Sequence, residues 1–251
     1  MNIKWNPNTY QSSFSFVPKY GEDVMNLLTV PAQSRVLDLG CGNGTLTAKL
    51  AEKGFCVSGL DASPDMIALA RAIFPAIPFA CEDALTFALP EQVDAVFSNA
   101  VFHWIDADKQ PLLLVNIARN LRAGGELVCE FGGYGCAESV HAALEAQFAR
   151  RGLSYPRVFY FPTIGQYAPL LENAGLRVET ALLFDRPTPQ NSAHGVIDWI
   201  NMFVKTPFDG MDGALREEIT ADTENALRGT LFVDGTWYID YVRIRIRARK
   251  V

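Results

Sequence analysis

Apolar and polar positions along residues 35–131 alternate between two periods. Residues 35–39, 55–60, 78–81, 93–98 and 126–131 are short, nearly continuous apolar runs, the pattern of strands buried on both faces. The stretches between them carry apolar residues at helical spacing. Residues 45–53 read as a helix closed by Gly54, which readily takes the left-handed cap conformation. Ser63-Pro64-Asp65 opens another, with a hydroxyl cap, a proline where its missing N–H costs nothing, and an acid at the positive end of the dipole. Met66, Leu69, Ala70 and Ile73 form its apolar face, and residues 107–122 predict a further helix ended by Gly124-Gly125. Before this region, prolines punctuate the chain and residues 18–30 predict one helix with Val24, Leu27 and Leu28 on one face.

After Phe131 the character changes. Glycines at 132, 133 and 135 precede a dense aromatic set that includes Phe148, Tyr155, Phe159, Tyr160 and Phe161. Helices are expected over 137–151 and 163–174, a strand over 176–184, and interrupted helix over 191–228. The final YVRIRIRAR alternates apolar residues with arginines, as a one-sided strand does, its charges keeping one face soluble. Strand and helix alternating at this spacing predict a parallel sheet covered on both faces.

Composition narrows the class. With 251 residues the chain can bury a sizeable core, and a net charge of −6 argues against a sequence-independent nucleic-acid binder. No apolar run approaches the roughly 20 residues that span a bilayer, and the first residues are polar and aromatic rather than a secretory signal. Five cysteines without a CxxC pair read as reduced thiols in a cytoplasmic protein, with neither a disulfide framework nor a metal site.

The chemistry starts at residues 36–44, VLDLGCGNG. Glycines at 40, 42 and 44 join a strand to a helix at the carboxyl edge of the sheet, where such folds bind ligands. Asp61 ends the next strand, and a carboxylate there can accept from a ribose diol. The loop is GxGxG, with Thr45 where a dinucleotide fingerprint would place its third glycine. Asp38, beside the loop, disfavours a pyrophosphate and suits a ligand carrying an ammonium.

VLDLGCGNG, GLDASPDMIALAR, the EDA at 82–84, VDAVFSNAVFHWI and LRAGGELV occur in the order and spacing of class I S-adenosylmethionine-dependent methyltransferases. The chain resembles that class over roughly 35–130, and WNPNTY with SNAVFHWI is similar to the trans-aconitate and related small-molecule methyltransferase group. The resemblance implies a doubly wound, mainly parallel, seven-stranded Rossmann-like sheet whose last strand lies antiparallel beside the fifth. It implies an N-terminal lid over 1–30, a cofactor-binding core over 31–133 and 163–251, and a largely helical cap at about 134–162 and 187–230. Asp38, Gly40, Gly42 and Gly44 would contact the methionine part of the cofactor, with Cys41 in the same loop as a small buried side chain. Asp61 would hold the ribose. Ala62, Met66, Asp83 and Ala84 would surround the adenine, and Asn99, Ala100, Val101 and Phe102 would line the sulfonium. Tyr10 and Phe16 would belong to the lid.

Methyl transfer then proceeds by in-line displacement to a small-molecule carboxylate, hydroxyl or amine, leaving S-adenosylhomocysteine, in a monomer or homodimer. His103 is the candidate base, since it follows the fourth strand and imidazole titrates near neutrality. Tyr10, His103, Trp104, Tyr134 and Trp199 are the candidate acceptor contacts. Arg157 and Arg186 could receive a substrate carboxylate, and His141 and His194 read as helix-surface or cap residues. Two other classes stay open: a nicotinamide-dependent oxidoreductase, and a non-catalytic protein that binds S-adenosylmethionine for regulation or assembly.

Overall fold

The computed structural model describes residues 16–251, with side chains from residue 21 onward. Tyr10, the side chain of Phe16 and most of the expected lid therefore lie outside the described residues.

The elements are α1 (Phe16–Met25), β1 (Arg35–Leu39), α2 (Thr45–Glu52), β2 (Cys56–Asp61), α3 (Pro64–Ile73), β3 (Phe79–Cys81) and β4 (Val93–Asn99). They continue with α4 (Gln110–Asn120), β5 (Leu121–Gly132), α5 (Glu138–Arg150), α6 (Ile164–Asn173), β6 (Leu176–Pro189), α7 (Gly195–Phe203), α8 (Gly213–Leu231), β7 (Phe232–Val233) and β8 (Thr236–Lys250). Strand order is β3-β2-β1-β4-β5-β8-β6, with β7 paired to β8 off that path. β1 to β5 run parallel, and β8 lies antiparallel between β5 and β6. This is the doubly wound sheet with an antiparallel last strand beside the fifth that the family resemblance implies.

Local signals act as read at α3, where Ser63 Oγ accepts from the Met66 N–H at 3.3 Å and Pro64 sits at the first helical position. Elsewhere tertiary contacts move the boundaries. α1 ends at Met25, so Leu27 and Leu28 lie beyond it, although both still pack on the small core around Val24, Val36 and Phe97. α4 stops at Asn120 rather than 122, preceded by a 3-10 turn over Ala107–Lys109. The cause is Asn120, whose amide donates to the Asn116 carbonyl (2.9 Å) while its Oδ1 accepts from the Leu89 N–H (2.8 Å). Those bonds tie the helix end to the preceding loop and release Leu121 into β5.

The terminal arginines are the largest correction. β8 is no one-sided edge strand: Arg245 bridges to Glu130 on β5, and Arg247 and Arg249 bridge to Glu179 on β6. The charges are matched across the sheet rather than solvated.

Two larger hydrophobic cores flank the cleft. One lies under the sheet around Leu37, Val96, Leu113, Ile117, Leu127 and Phe131. The other joins α5, α7, α8 and the first half of β8 through Val140, Leu144, Phe148, Ile200, Ile219, Leu227 and Trp237. The cleft opens where the second core meets the strand exits of the first. Among the described residues no helix is long and apolar enough to cross a membrane.

Candidate active site

The loop after β1 is fixed by backbone bonds: the N–H groups of Gly40 and Cys41 both donate to the Leu60 carbonyl (2.7 and 3.0 Å). Gly40 has φ +78°, and a Cβ there would lie 2.2 Å from Val101 Cγ2, so both backbone conformation and protein packing exclude a side chain. Gly42 has φ +54° and no atom within 4 Å of a built Cβ; its missing side chain leaves space in the cleft itself. Its N–H donates to Asp61 Oδ2 (2.9 Å), and the Ser63 N–H donates to Asp61 Oδ1 (2.8 Å). Each carboxylate oxygen is thus aimed and keeps a second lone pair. Burial raises the Asp61 pKa, opposed by those two bonds. Beneath the loop Asp38 is only 2% exposed, and its Oδ2 accepts from Thr47 Oγ1 at 2.6 Å. Burial pushes its carboxyl up to about 7, against the Thr47 bond and helped by Asp61.

The opposite wall follows β4. Ala100 holds φ +61°, rare for a residue with a Cβ, with its N–H on the Glu130 carbonyl (2.7 Å). A 3-10 turn over Phe102–Trp104 comes next, stapled by buried Gln110, whose amide donates to the carbonyls of Phe102 and Ile105 (2.9 and 2.7 Å). The turn presents His103 to the cleft. Its Nδ1 accepts from the Gly132 N–H at 3.2 Å, and burial, with nearby Arg243, lowers its pKa well below the imidazole range. The ring is neutral, its Nδ1 lone pair is occupied, and its hydrogen sits on Nε2. With Nδ1 taken by the Gly132 N–H, the ring offers its Nε2–H to the cleft as a donor.

Trp104, Phe159, Phe161, Trp199 and Phe203 complete an aromatic compartment. Phe159 stacks on Phe161 (centroids 5.3 Å, 13°) and meets Trp104 edge-on (4.8 Å). The segment carrying them is anchored by the Tyr160 N–H on the His103 carbonyl (3.1 Å). Tyr241 and Arg243 close the compartment from β8. The glycine loop and the aromatic compartment line one continuous cleft.

Of the residues singled out in the sequence, Gly40, Gly42, Asp61, Ala62, Met66, Ala84, Asn99, Ala100, Val101, His103, Trp104 and Trp199 line this cleft. Others do not. Asp38 and Cys41 are buried beneath the loop, Phe102 is in the main core, and Gly44 packs on Phe79. Asp83 turns its Oδ1 to the Leu85 N–H (2.8 Å), while its neighbours Glu82 and Ala84 reach the lining. Tyr134 is 65% exposed and outside it. Arg157 and Arg186 are committed to glutamates, Arg157 to Glu138 and Glu145 and Arg186 to Glu130. His141 is not on a helix surface: it is buried against Tyr155, Phe159 and Trp199, with Nδ1 2.7 Å from the Tyr155 hydroxyl. His194 precedes α7 and pairs with Glu224 (2.9 Å). Sequence reasoning missed Glu82, Cys136, Tyr241 and Arg243. Only the last two carried a signal, as alternate residues of one strand.

Residues 36–125 match the family model of a methyltransferase domain. The whole chain is similar to an uncharacterized methyltransferase of Schizosaccharomyces pombe, 32% identical over 98% of each chain. It is also 30% identical to a trans-aconitate 2-methyltransferase of Deinococcus radiodurans, over 84% of this chain and 86% of the relative. Among solved structures, the geranyl diphosphate C-methyltransferase of Streptomyces coelicolor aligns with TM-score 0.56 over 93% of this chain and 80% of that one. At 14% identity that likeness speaks to the fold alone.

Proposed function

The chain belongs to the S-adenosylmethionine-dependent methyltransferases, and from that premise we propose that it methylates a small molecule held in the aromatic compartment of the cleft. Membership replaces the nicotinamide-dependent alternative. The observation that supports the finer reading is the continuity of the cleft: the glycine loop and Asp61 line the same cleft as the aromatic side chains Trp104, Phe159, Phe161, Trp199 and Phe203.

The residues at the loop fit the cofactor. Gly42 leaves a cradle that a Cβ would fill, and Asp61 keeps lone pairs for a ribose diol. Asp38, buried beneath the loop, would act on an ammonium through the loop by its charge rather than by lining the cleft, and Glu82 and Ala84 border the adenine end. When bound, the cofactor supplies an electrophilic methyl group on a sulfonium. The chain's own task is to align an acceptor and exclude water, and alignment alone is worth roughly 7 kcal/mol or more in favourable cases. Asn99, Ala100 and Val101 form the wall between the two compartments. The strained Ala100 fixes that wall's shape. Trp104, Phe159 and Trp199 keep the acceptor side dry and offer faces for a planar or apolar body. With the His103 Nδ1 occupied by the Gly132 N–H and burial lowering its pKa, the site suits an acceptor already ionised or nucleophilic at neutral pH.

Relatives named trans-aconitate 2-methyltransferase support a small metabolite as acceptor. The test is labelled methyl transfer from S-adenosylmethionine to cell extract, separated by size. Label in the small-molecule fraction is expected. Label confined to protein or nucleic acid would overturn the small-molecule reading.

A further inference from the structure

Seven arginines or lysines lie in the sheet's last two strands, and the partners of six can be named one by one. Arg186 and Arg245 hold Glu130; Arg177, Arg247 and Arg249 hold Glu179; Lys250 donates to the Leu121 carbonyl. Arg243 differs. It is 8% exposed, its Nε has no hydrogen-bond partner, and among the described residues no carboxylate forms an ion pair with it. The nearby acid Asp240 has its Oδ2 on the Ser139 N–H instead (2.9 Å). A buried cation without a counter-charge is costly to the fold and calls for a reason.

Its surroundings supply one. The guanidinium stacks on the Tyr241 ring (4.6 Å), and the Tyr241 hydroxyl is held by Trp199 Nε1 (2.6 Å). Stacking fixes the plane of the fork and leaves its in-plane N–H groups as the reactive edge. Arg243 lines the cleft on the aromatic side. It pairs across the β5–β8 ladder with Gly132, the residue whose N–H orients His103. Two donors, the guanidinium and the His103 Nε2–H, therefore border one compartment walled by Trp104, Phe159 and Phe161. The cleft's own acids cannot neutralise Arg243. Asp61 ends β2, four strands from β8 in the sheet order, or roughly 19 Å at about 4.8 Å per strand, and Glu82 lies farther out beyond β3.

We infer that Arg243 and His103 form a subsite for a carboxylate of the methyl acceptor, making the acceptor an organic acid with a planar or apolar body. This rests on the methyltransferase reading of the same cleft. Arg243 is then the residue that selects the acceptor, and its counter-ion in the working enzyme is the substrate.

The test uses calorimetric titration of the full chain, first with S-adenosylhomocysteine. Then, with that compound saturating, trans-aconitate and cinnamate are each titrated against their amides. Wild type is expected to prefer at least one carboxylate over its amide by roughly ten- to a hundredfold, the range for a hydrogen bond to a charged group. Arg243→Gln should abolish that preference, and Arg243→Lys should keep part of it. Arg243→Gln should also bind S-adenosylhomocysteine as wild type does and melt no lower without ligands, a readout that a structural arginine would fail. A carboxylate no better than its amide in wild type, or a preference that survives Arg243→Gln, overturns the inference. So does a loss of S-adenosylhomocysteine affinity in Arg243→Gln, which would assign the guanidinium to the cofactor's own carboxylate. If wild type does not bind S-adenosylhomocysteine, the methyltransferase reading itself falls, and this inference with it.

Discussion

Asp38→Asn should stabilise the unliganded protein while weakening its hold on the cofactor. The native carboxyl is buried and its pKa is raised to about 7, desolvation outweighing the Thr47 hydrogen bond. A group raised from near 4 to about 7 opposes folding by about 4 kcal/mol once fully ionised, at about 1.36 kcal/mol per unit. The sign follows from proton binding. Between pH 4 and 7 the folded state holds more protons at this site than the unfolded chain, so stability falls as pH rises through that window and levels off above it. Asparagine is neutral throughout, and its Oδ1 can still accept from Thr47. Allowing about half of the 4 kcal/mol for relaxation and a weaker neutral bond, the variant should gain about 2 kcal/mol at pH 8, or roughly 5 °C in melting temperature for a chain of this size. The difference between the two melting curves, taken from pH 4.5 to 8.5, isolates Asp38 from other titrating groups. In the proposed complex the ionised carboxylate faces an ammonium, so wild-type affinity for S-adenosylhomocysteine should strengthen between pH 6 and 8. In the variant it should be weaker by roughly tenfold or more and flat with pH. An asparagine variant that melts below wild type at pH 8, or whose pH dependence of stability matches wild type, would refute the burial argument.

The glycines of the loop should separate by measurement. Gly40→Ala, with its Cβ 2.2 Å from Val101 Cγ2, should lose about 3 kcal/mol or more in urea denaturation. Gly42→Ala should lose only about 1 kcal/mol of stability from its positive φ, yet weaken S-adenosylhomocysteine binding in calorimetry, since its side chain enters the cleft. At saturating cofactor, transfer rates in wild type should show no imidazole limb near pH 6–7, because His103 stays neutral with Nδ1 occupied; an inflection there that vanishes in His103→Asn would restore His103 as a base. His141, buried with its pKa lowered to about 4, binds fewer protons folded than unfolded below pH 6.5. The His141 contribution to stability should therefore decline from pH 6.5 toward 4, against the Asp38 gain over the same window, and the wild-type minus His141→Phe difference in thermal melts should show that decline.

The parts of the fold legible in the sequence are those fixed by near neighbours. The Ser63-Pro64-Asp65 cap acts through residues a few positions away, while the glycine loop and Asp61 meet across the exits of two adjacent strands, and the structure places both as expected. The sheet's far side was not legible in the same way. YVRIRIRAR alternates as a surface strand does, and nothing within it shows that Glu130 and Glu179 stand on the strands to either side. The clue lay elsewhere: Glu126 and Glu130 interrupt an otherwise apolar β5 at the strand period, matching the arginine spacing of β8. A second unused signal was Asp234-Gly235. Both residues have positive φ and form the tight hairpin between β7 and β8 that such a dipeptide favours. His141 gave no warning, because its burial depends on an irregular aromatic segment that joins it from later in the chain.

The charge of the cleft is divided along its length, and that division bears on the chemistry proposed for it. Asp61 and Glu82 line the glycine-loop end, with Asp38 buried beneath it; Arg243 and the donor His103 lie at the aromatic end. Each end is matched to a ligand of opposite sign, a cationic cofactor and an anionic acceptor. If the anionic group is itself the nucleophile, methyl transfer joins a carboxylate to a sulfonium-bound methyl, and both formal charges disappear in the product ester and thioether. A reaction that annihilates charge is favoured by a medium that solvates charge poorly, and the walls around it are Trp104, Phe159, Phe161 and Trp199 rather than water. The same arithmetic favours turnover. The ester can no longer accept the strong charge-assisted bonds that its acid made with Arg243, so the residue that selects the substrate by charge releases the product for want of it. An unpaired arginine thus suits this position better than a permanent Arg–Glu pair of the kind that fills the rest of β8.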